Sequence, residues 1–125
     1  MSDIFGNEKS LKESAKPLIK DVQEPWFGYI KSGKKIIEGR LNKGSFQELK
    51  KGDIVHWKNV DNIIKTKIIS IHHHKDFEKM LKAHRLYNVL PSVRTYKDGV
   101  KVYNEFFSPF DVKKYGVLAI KIQKI

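Results

Sequence analysis

The chain has 125 residues, of which 40% are hydrophobic, 11% aromatic and none cysteine. This length fits a single domain with its own core, and the lack of cysteine excludes disulfides, thiolate metal sites and a cysteine nucleophile. No apolar run approaches the roughly 20 residues that span a bilayer, and the first residues lack the pattern of a secretory signal. We therefore expect a soluble, intracellular, cytoplasmic protein without a membrane partner, with a nuclear location open if the source is eukaryotic or viral.

The positive charge belongs to the body of the chain. The chain carries 25 Lys and Arg against 14 Asp and Glu, a net charge of +11, and residues 25–125 hold 21 basic and 9 acidic side chains. Residues 1–24 are slightly acidic, so a basic tail does not explain the excess. A compact body with this charge attracts polyanions, among which nucleic acid is the commonest in a cell. The alternative is that scattered lysines only keep the protein in solution.

The first half of the chain predicts a tail followed by a helix and three strands. Residues 1–24 are polar without a clear apolar period, which predicts an N-terminal tail or a loosely docked helix. Pro25 begins, and Gly33 ends, a helix predicted over Trp26–Ser32. The remaining segments are a strand over Lys35–Leu41, a helical turn at 47–53, and a hairpin of strands at 54–57 and 63–73.

The second half predicts two helices and a final strand. Apolar residues at helical spacing predict a helix over Asp76–His84. A second helix is predicted to begin at Ser108-Pro109 and to end at Gly116. Residues 96–107 are ambiguous between a turn and a helix, and Val117–Gln123 is a strand. Four or so strands interrupted by helices predict an α+β fold, a small closed or half-closed β-barrel with peripheral helices.

A motif at Gly33–Arg40 carries a family resemblance. The stretch Gly-Lys-Lys-Ile-Ile-Glu-Gly-Arg resembles the ASCH signature Gly-x-Lys-x-x-Glu-x-Arg in all four specified positions. The order of the aromatic helix, the Gly52-Asp53 turn, the Phe77–Leu81 helix and the Tyr115–Ile120 ending is also similar to that family. The resemblance implies a PUA-like β-barrel over residues 25–125 whose cleft is proposed to bind RNA. Some members resemble nucleases or hydrolyse acetylated cytidine.

The motif side chains suit polyanion or base recognition on their own chemistry. Arg40 and Lys35 can hold a phosphate or the polar edge of a base, and Glu38 can orient the arginine or accept from an exocyclic amine. Glu38 and Arg40 share one face of a strand, so Lys35 joins them only if it lies in a turn or if a bulge shifts the register. The alternative is a surface ion pair worth under about 1 kcal/mol.

The expected partner is nucleic acid, with RNA favoured over DNA. Unpaired bases stack on aromatic side chains, and Trp26 is the first candidate because it begins the helix beside the motif. Each surrounding lysine either contacts the RNA backbone or only solvates the surface. The expected nucleic-acid-binding residues are Lys35, Glu38, Arg40, Trp26, Lys31, Lys34, Lys43, Lys50 and Lys51.

An enzymatic reading stays open as an alternative. A ribonuclease or a modified-nucleoside hydrolase would use Lys35 as a base beside Glu38, assisted by Tyr29 and Ser108. Tyr29 has an alternative role as a core ring and Ser108 as a helix cap. In the acetylcytidine hydrolases of the family a threonine occupies the position of Glu38, and this departure weakens that assignment. A third alternative is a protein-binding adaptor with a vestigial cleft.

The histidine run at 72–74 does not predict a metal site. On a strand, His72 and His74 share one face and His73 the other, so only two can bind one ion, and no third ligand is evident. We expect no metal and no cofactor, and a monomer.

Overall fold

The computed structural model describes residues 17–125, so residues 1–16 of the tail or docked helix predicted over residues 1–24 lie outside the described residues. Five strands form one sheet in the order β1-β3-β4-β5-β2. The β1–β3 pair is parallel and the other pairs are antiparallel. The sheet curls into a half-barrel, which confirms the predicted α+β class. The strands are β1 (Leu18–Asp21), β2 (Ile37–Leu41), β3 (Ile54–Asn59), β4 (Asn62–His74) and β5 (Val117–Lys124).

Within residues 17–125, five α-helices lie between and beside the strands. Side-chain oxygens of Asp76, Thr95 and Ser108 each accept a backbone N–H three residues further on, which is how these polar residues start helices. Gly33 ends the first helix with a φ of +85°, a left-handed conformation that favours glycine. The helices are α1 (Trp26–Ser32), α2 (Phe77–His84), α3 (Leu86–Val89), α4 (Tyr96–Asn104) and α5 (Pro109–Tyr115), with a 3₁₀ turn at Gly44–Glu48.

Two elements differ from the sequence analysis. Residues 18–21 lie in the segment assigned to a tail or docked helix, but they form β1, which pairs with β3 from Leu18↔Val55 to Asp21↔Lys58. The short helix α3 was not predicted at all. Both elements depend on partners distant in sequence, which local apolar periodicity does not reveal. The ambiguous stretch at 96–107 is mostly helix α4.

Strand β2 separates two hydrophobic clusters. Inside the curl of the sheet, Trp57, Ile68 and Ile120 pack with residues of α1. On the other face of β2 and β5, Ala119 packs with Phe77, Met80 and further residues of the helices. Because side chains alternate along a strand, neighbouring residues of β2 enter different environments.

Glu38 and Arg40 lie on the inner face of β2. Their cross-strand partners are Ile120 and Leu118, both of which belong to the cluster inside the curl. Gly39 faces the helices, and a Cβ atom there would lie 2.7 Å from Met80 Cε and 2.7 Å from the Tyr103 hydroxyl. Glycine at position 39 therefore lets the helices approach the strand that carries the two charges. Among the helices of residues 17–125, none is long and apolar enough to cross a membrane.

Candidate functional site

The three charged side chains of the motif, those of Lys35, Glu38 and Arg40, meet near the start of strand β2. Lys35 lies in the loop before the strand, so the turn placement, and not a bulge in β2, brings it to Glu38 and Arg40. Lys35 Nζ is 3.2 Å from Glu38 Oε1, and Arg40 Nε donates to Glu38 Oε2 at 2.6 Å. With Lys35 only 2% and Glu38 only 6% exposed, the alternative of an ordinary surface ion pair is wrong.

The Lys35 ammonium is surrounded by acceptors. Besides the Glu38 carboxylate, its Nζ donates to the carbonyl of Ile37 at 2.8 Å and to the carbonyl of Val89. An ammonium has three N–H donors and no lone pair, so three acceptors match its charged form. Burial lowers the pKa of Lys35, and the neighbouring Glu38 carboxylate opposes that effect. The contact to Val89 ties the loop before β2 to helix α3.

Glu38 is held as a carboxylate by its two cationic neighbours. Burial acts to raise its pKa, but the charges of Arg40 and Lys35 and their hydrogen bonds outweigh burial, and the pKa lies below its ordinary value. Arg40 also donates from Nη2 to the carbonyl of Asp21 at 2.7 Å, which joins β1 to the site. Its guanidinium lies 5.5 Å from the Trp57 ring centroid.

The triad of Lys35, Glu38 and Arg40 forms the charged floor of a cleft of about 240 Å³. The rest of the lining is largely apolar and aromatic, and it comes from segments far apart in the chain. It includes Val22 and Gln23 after β1, Leu90 after α3, and Trp26, Tyr103, Phe106 and Phe107 as the aromatic walls. Such a cleft combines a guanidinium and a carboxylate with flat apolar walls.

Tyr103 lines the cleft and, among residues 17–125, has an unpartnered hydroxyl. Its ring stacks on Phe77 at 4.0 Å between centroids, which fixes its orientation. Within the described residues, this hydroxyl is the buried side-chain polar atom that lacks a hydrogen-bond partner. Burial, together with the nearby Glu38 carboxylate, raises the pKa of Tyr103 well above its ordinary value, so the group stays protonated.

The other predicted site residues divide between the cleft and the surface. Trp26 lines the cleft, as its position beside the motif indicated. The five remaining predicted lysines are exposed and do not line it; Lys43, for example, lies over the Tyr115 ring at 5.0 Å. They are Lys31, Lys34, Lys43, Lys50 and Lys51.

The two residues proposed to assist catalysis lie outside the cleft lining. The Tyr29 hydroxyl donates to Ser92 Oγ at 3.0 Å, and its ring packs near Trp26 with 5.9 Å between centroids. Ser108 accepts from the backbone N–H of Asp111 at 3.1 Å and caps α5. The structure does not bring either side chain to Lys35.

The sequence analysis missed several cleft residues and one histidine contact. Phe107 and Gln23 carry no local signal for the cleft, since the chain reaches it only after α4 and β1 have found their places. His84 of α2 lies 2.8 Å from His74, measured between the two Nε2 atoms. Among residues 17–125, no group of three or more His, Asp or Glu side chains is arranged to hold a metal ion.

Comparisons with known proteins place these features in a family context. A family model described as the ASCH domain matches residues 21–125. The crystal structure of the hypothetical protein PH0355 is similar, with 38% identity and a TM-score of 0.82 over 88% of this chain and 100% of that one. The solution structure of protein PF0455 from Pyrococcus furiosus has 34% identity and a TM-score of 0.74 over 88% and 98% of the two chains. No curated protein gives a significant match.

Proposed function

This chain belongs to the ASCH domain family, and from that premise we propose that it binds RNA through the cleft whose floor is Lys35, Glu38 and Arg40. Its fold is a small PUA-like β-barrel with peripheral helices. The family is generally linked to RNA binding, which supports this class of ligand. The proposal goes further, because it assigns an unpaired base to the cleft and backbone phosphates to the surrounding surface.

The main support for the proposal is that the cleft combines aromatic side chains with the Arg40 guanidinium, some of whose N–H donors have no partner among the described residues. Arginine has five N–H donors, and within the described residues Arg40 uses one on Glu38 and one on Asp21. The remaining donors suit the carbonyl and ring-nitrogen acceptors on a base edge. Trp26 and the 43% exposed Phe106 offer rings on which a base can stack.

The charge distribution separates base recognition from phosphate contact. The charged residues that line the cleft are two cations, Lys35 and Arg40, and two carboxylates, Glu38 and Asp21, so their charges balance and the exposed lysines carry most of the positive field. Contacts to phosphates position a nucleic acid, whereas contacts to base edges give specificity. We expect the lysines at positions 31, 34, 43, 50 and 51 to supply affinity that falls with salt. RNA is favoured over DNA because unpaired, splayed-out bases are its usual recognition element.

A binding titration tests the proposal. We expect a fluorescein-labelled 12-nucleotide single-stranded RNA to bind at low salt, with an affinity that decreases linearly on logarithmic axes as salt rises. Arg40→Gln should weaken binding about tenfold or more, since a good side-chain contact to a base contributes roughly 1–3 kcal/mol.

Arg94→Gln controls for the loss of one positive charge, because Arg94 is exposed and does not line the cleft, and thermal unfolding verifies that Arg40→Gln is folded under the titration conditions. Equal losses in the two variants, or no binding at low salt, would contradict the proposal. A DNA strand of the same sequence, used as a competitor, decides whether RNA is preferred.

The hydrolase alternative receives less support from the geometry. A base needs a lone pair, but all three donors of the Lys35 ammonium have acceptors, and Tyr29 and Ser108 do not line the cleft. Incubation of the purified protein with labelled RNA and with acetylcytidine tests this alternative. Turnover that disappears in Lys35→Ala would favour catalysis, whereas turnover that persists would indicate a contaminant. The cellular location and the monomeric state stay predictions.

A further inference from the structure

A second cavity, of about 280 Å³, has no lining residue in common with the cleft. Lys35 lines the cleft, and the next residue, Ile36, lines the second cavity. The backbone N–H of Ile36 donates to the carbonyl of Asn88 in α3 at 3.0 Å. We call this second space the basic cavity. Its polar side chains come from β4, β5, the end of α2 and α3, and they are Ser70, His72, His84, Arg85, Asn88 and Lys121.

Every ionisable group that lines the basic cavity is a cation or a histidine. Arg85 and Lys121 are exposed, and neither belongs to an ion pair among residues 17–125. No carboxylate lines the cavity to balance them. The positive potential of the two side chains is therefore available to an anion.

Uncharged polar groups complete the lining. Ser70 lies opposite Lys121 in the β4–β5 register, so its hydroxyl shares a face of the sheet with the lysine. The Asn88 amide donates to the carbonyl of His84 at 3.1 Å and thereby satisfies an acceptor at the end of α2. A cavity with cationic side chains and a hydroxyl suits a tetrahedral oxyanion, which accepts several hydrogen bonds at once.

A histidine pair adds a titratable element to the basic cavity. The Nε2 atoms of His74 and His84 are 2.8 Å apart, and the His72 and His84 rings lie 5.3 Å apart between centroids. A contact between two imidazole nitrogens needs one N–H and one bare nitrogen, so it does not survive protonation of both rings.

The surroundings of the pair resist protonation. Burial and the neighbouring histidines lower the pKa of His84, and they also lower that of His74, for which His73 contributes and the Asp76 carboxylate opposes. Arg85 and Lys121 line the same cavity as His84. A bound anion would reverse this balance, because an opposite charge nearby favours the imidazolium form.

We propose that the basic cavity is a phosphate site, which binds a backbone phosphate of the RNA whose base enters the cleft and which binds more tightly below neutral pH. The assignment to RNA rests on the function proposed above, whereas the anion site stands on the cavity alone. Binding and proton uptake are linked: protonation of His84 strengthens phosphate binding, and bound phosphate raises the pH at which His84 takes up its proton.

The first experiment tests the anion site without RNA. The probe is sulfate, whose charge is constant between pH 5.5 and 7.5, and the readout is the histidine ring signals in two-dimensional NMR. We expect saturable shifts of the His72 and His84 signals, with an affinity at least fivefold higher at pH 5.5 than at pH 7.5. Unsaturable shifts, or equal affinities at the two pH values, would overturn the proposal.

Substitutions separate a built site from the general positive field. Arg85→Gln with Lys121→Gln should abolish saturable binding, whereas Arg85→Lys with Lys121→Arg should retain it. Lys97→Gln with Lys101→Gln removes the same charge from exposed positions on α4 and is the matched control. If this control loses binding as strongly as the first pair, the cavity is not a specific site. Thermal unfolding of each variant verifies that all are folded.

The second experiment tests the assignment to RNA. In a salt titration of the 12-nucleotide RNA, Arg85→Gln with Lys121→Gln should reduce the slope of log affinity against log salt by roughly 0.7, the value for one phosphate on a single strand. His84→Gln should remove the gain in affinity at pH 5.5, whereas His56→Gln on β3 should keep it.

The outcomes distinguish the two proposals. A normal RNA slope in a variant that no longer binds sulfate would overturn the RNA assignment of the basic cavity. An unchanged RNA affinity in Arg40→Gln, together with a reduced slope in the basic-cavity variant, would overturn the cleft proposal while the phosphate site stands.

Discussion

Lys35 and Glu38 form a buried ion pair, with 3.2 Å between Nζ and Oε1, at the point where the loop after α1 becomes strand β2. Because Lys35 also donates to the carbonyl of Val89, the pair joins that loop to helix α3. The Glu38 carboxylate in turn orients Arg40 by a 2.6 Å hydrogen bond. In the proposed function the lysine and glutamate are therefore positioning residues, and Arg40 is the member of the triad with donors left for a ligand.

Loss of Lys35 should destabilise the fold. Lys35→Met leaves the buried Glu38 carboxylate with one cation in place of two, and removal of one partner from a buried pair costs about 3 kcal/mol or more. Lys34→Met, at the exposed neighbouring position, should change the free energy of unfolding by less than about 0.5 kcal/mol. Urea denaturation measures both. Similar values for the two variants would show that the ion pair does not hold the loop.

Acid should remove the contribution of Glu38 to stability. A carboxyl group whose pKa is lower in the folded state stabilises the fold above its unfolded value of 4.5, and this contribution is lost as pH falls through the folded pKa. The free energy of unfolding of the wild type should therefore fall toward that of Glu38→Gln as the pH is lowered from 6 to 3. Urea titrations at each pH measure the difference, and a constant difference would contradict the lowered pKa.

Tyr103→Phe should separate stability from binding. The buried hydroxyl lies against the backbone of Gly39 without a hydrogen bond of normal geometry among the described residues, so its removal should raise the free energy of unfolding by about 1 kcal/mol while the stack on Phe77 is kept. RNA affinity should fall if the hydroxyl meets the base. Tyr96→Phe, on the same helix but exposed, is the control and should change neither quantity. A less stable Tyr103→Phe protein would indicate that the hydroxyl is bonded in the free protein.

Phe106→Ala should weaken RNA binding without loss of stability. Phe106 is 43% exposed at the cleft, and stacking of a base on an aromatic ring contributes about 1–3 kcal/mol. Phe110 is 73% exposed and does not line the cleft, so Phe110→Ala is a matched control. Fluorescence anisotropy with the labelled RNA measures affinity, and calorimetry measures the melting temperature. Equal affinities of the two variants would exclude Phe106 as a stacking surface.

Local chemistry in the sequence was enough for much of the secondary structure. Pro25 and Gly33 bracket α1, and Ser108 caps α5, because these residues act on the backbone next to them. The same applies to the shared face of Glu38 and Arg40, which follows from the two-residue period of any strand. These features depend on sterics and hydrogen bonds that span a few residues, so they can be predicted from the local sequence.

The site itself depends on contacts between segments far apart in the chain. Lys35 reaches Glu38 because β2 begins at Ile37, and the start of a strand depends on pairing with β5. Phe106 joins the cleft, and His84 meets His74, only once helices α4 and α2 have packed on the sheet. The net charge of +11 indicated a polyanion partner from composition. The cleft and the basic cavity, where that charge can act selectively, arise from long-range packing, since burial and side-chain distances are properties of the folded chain.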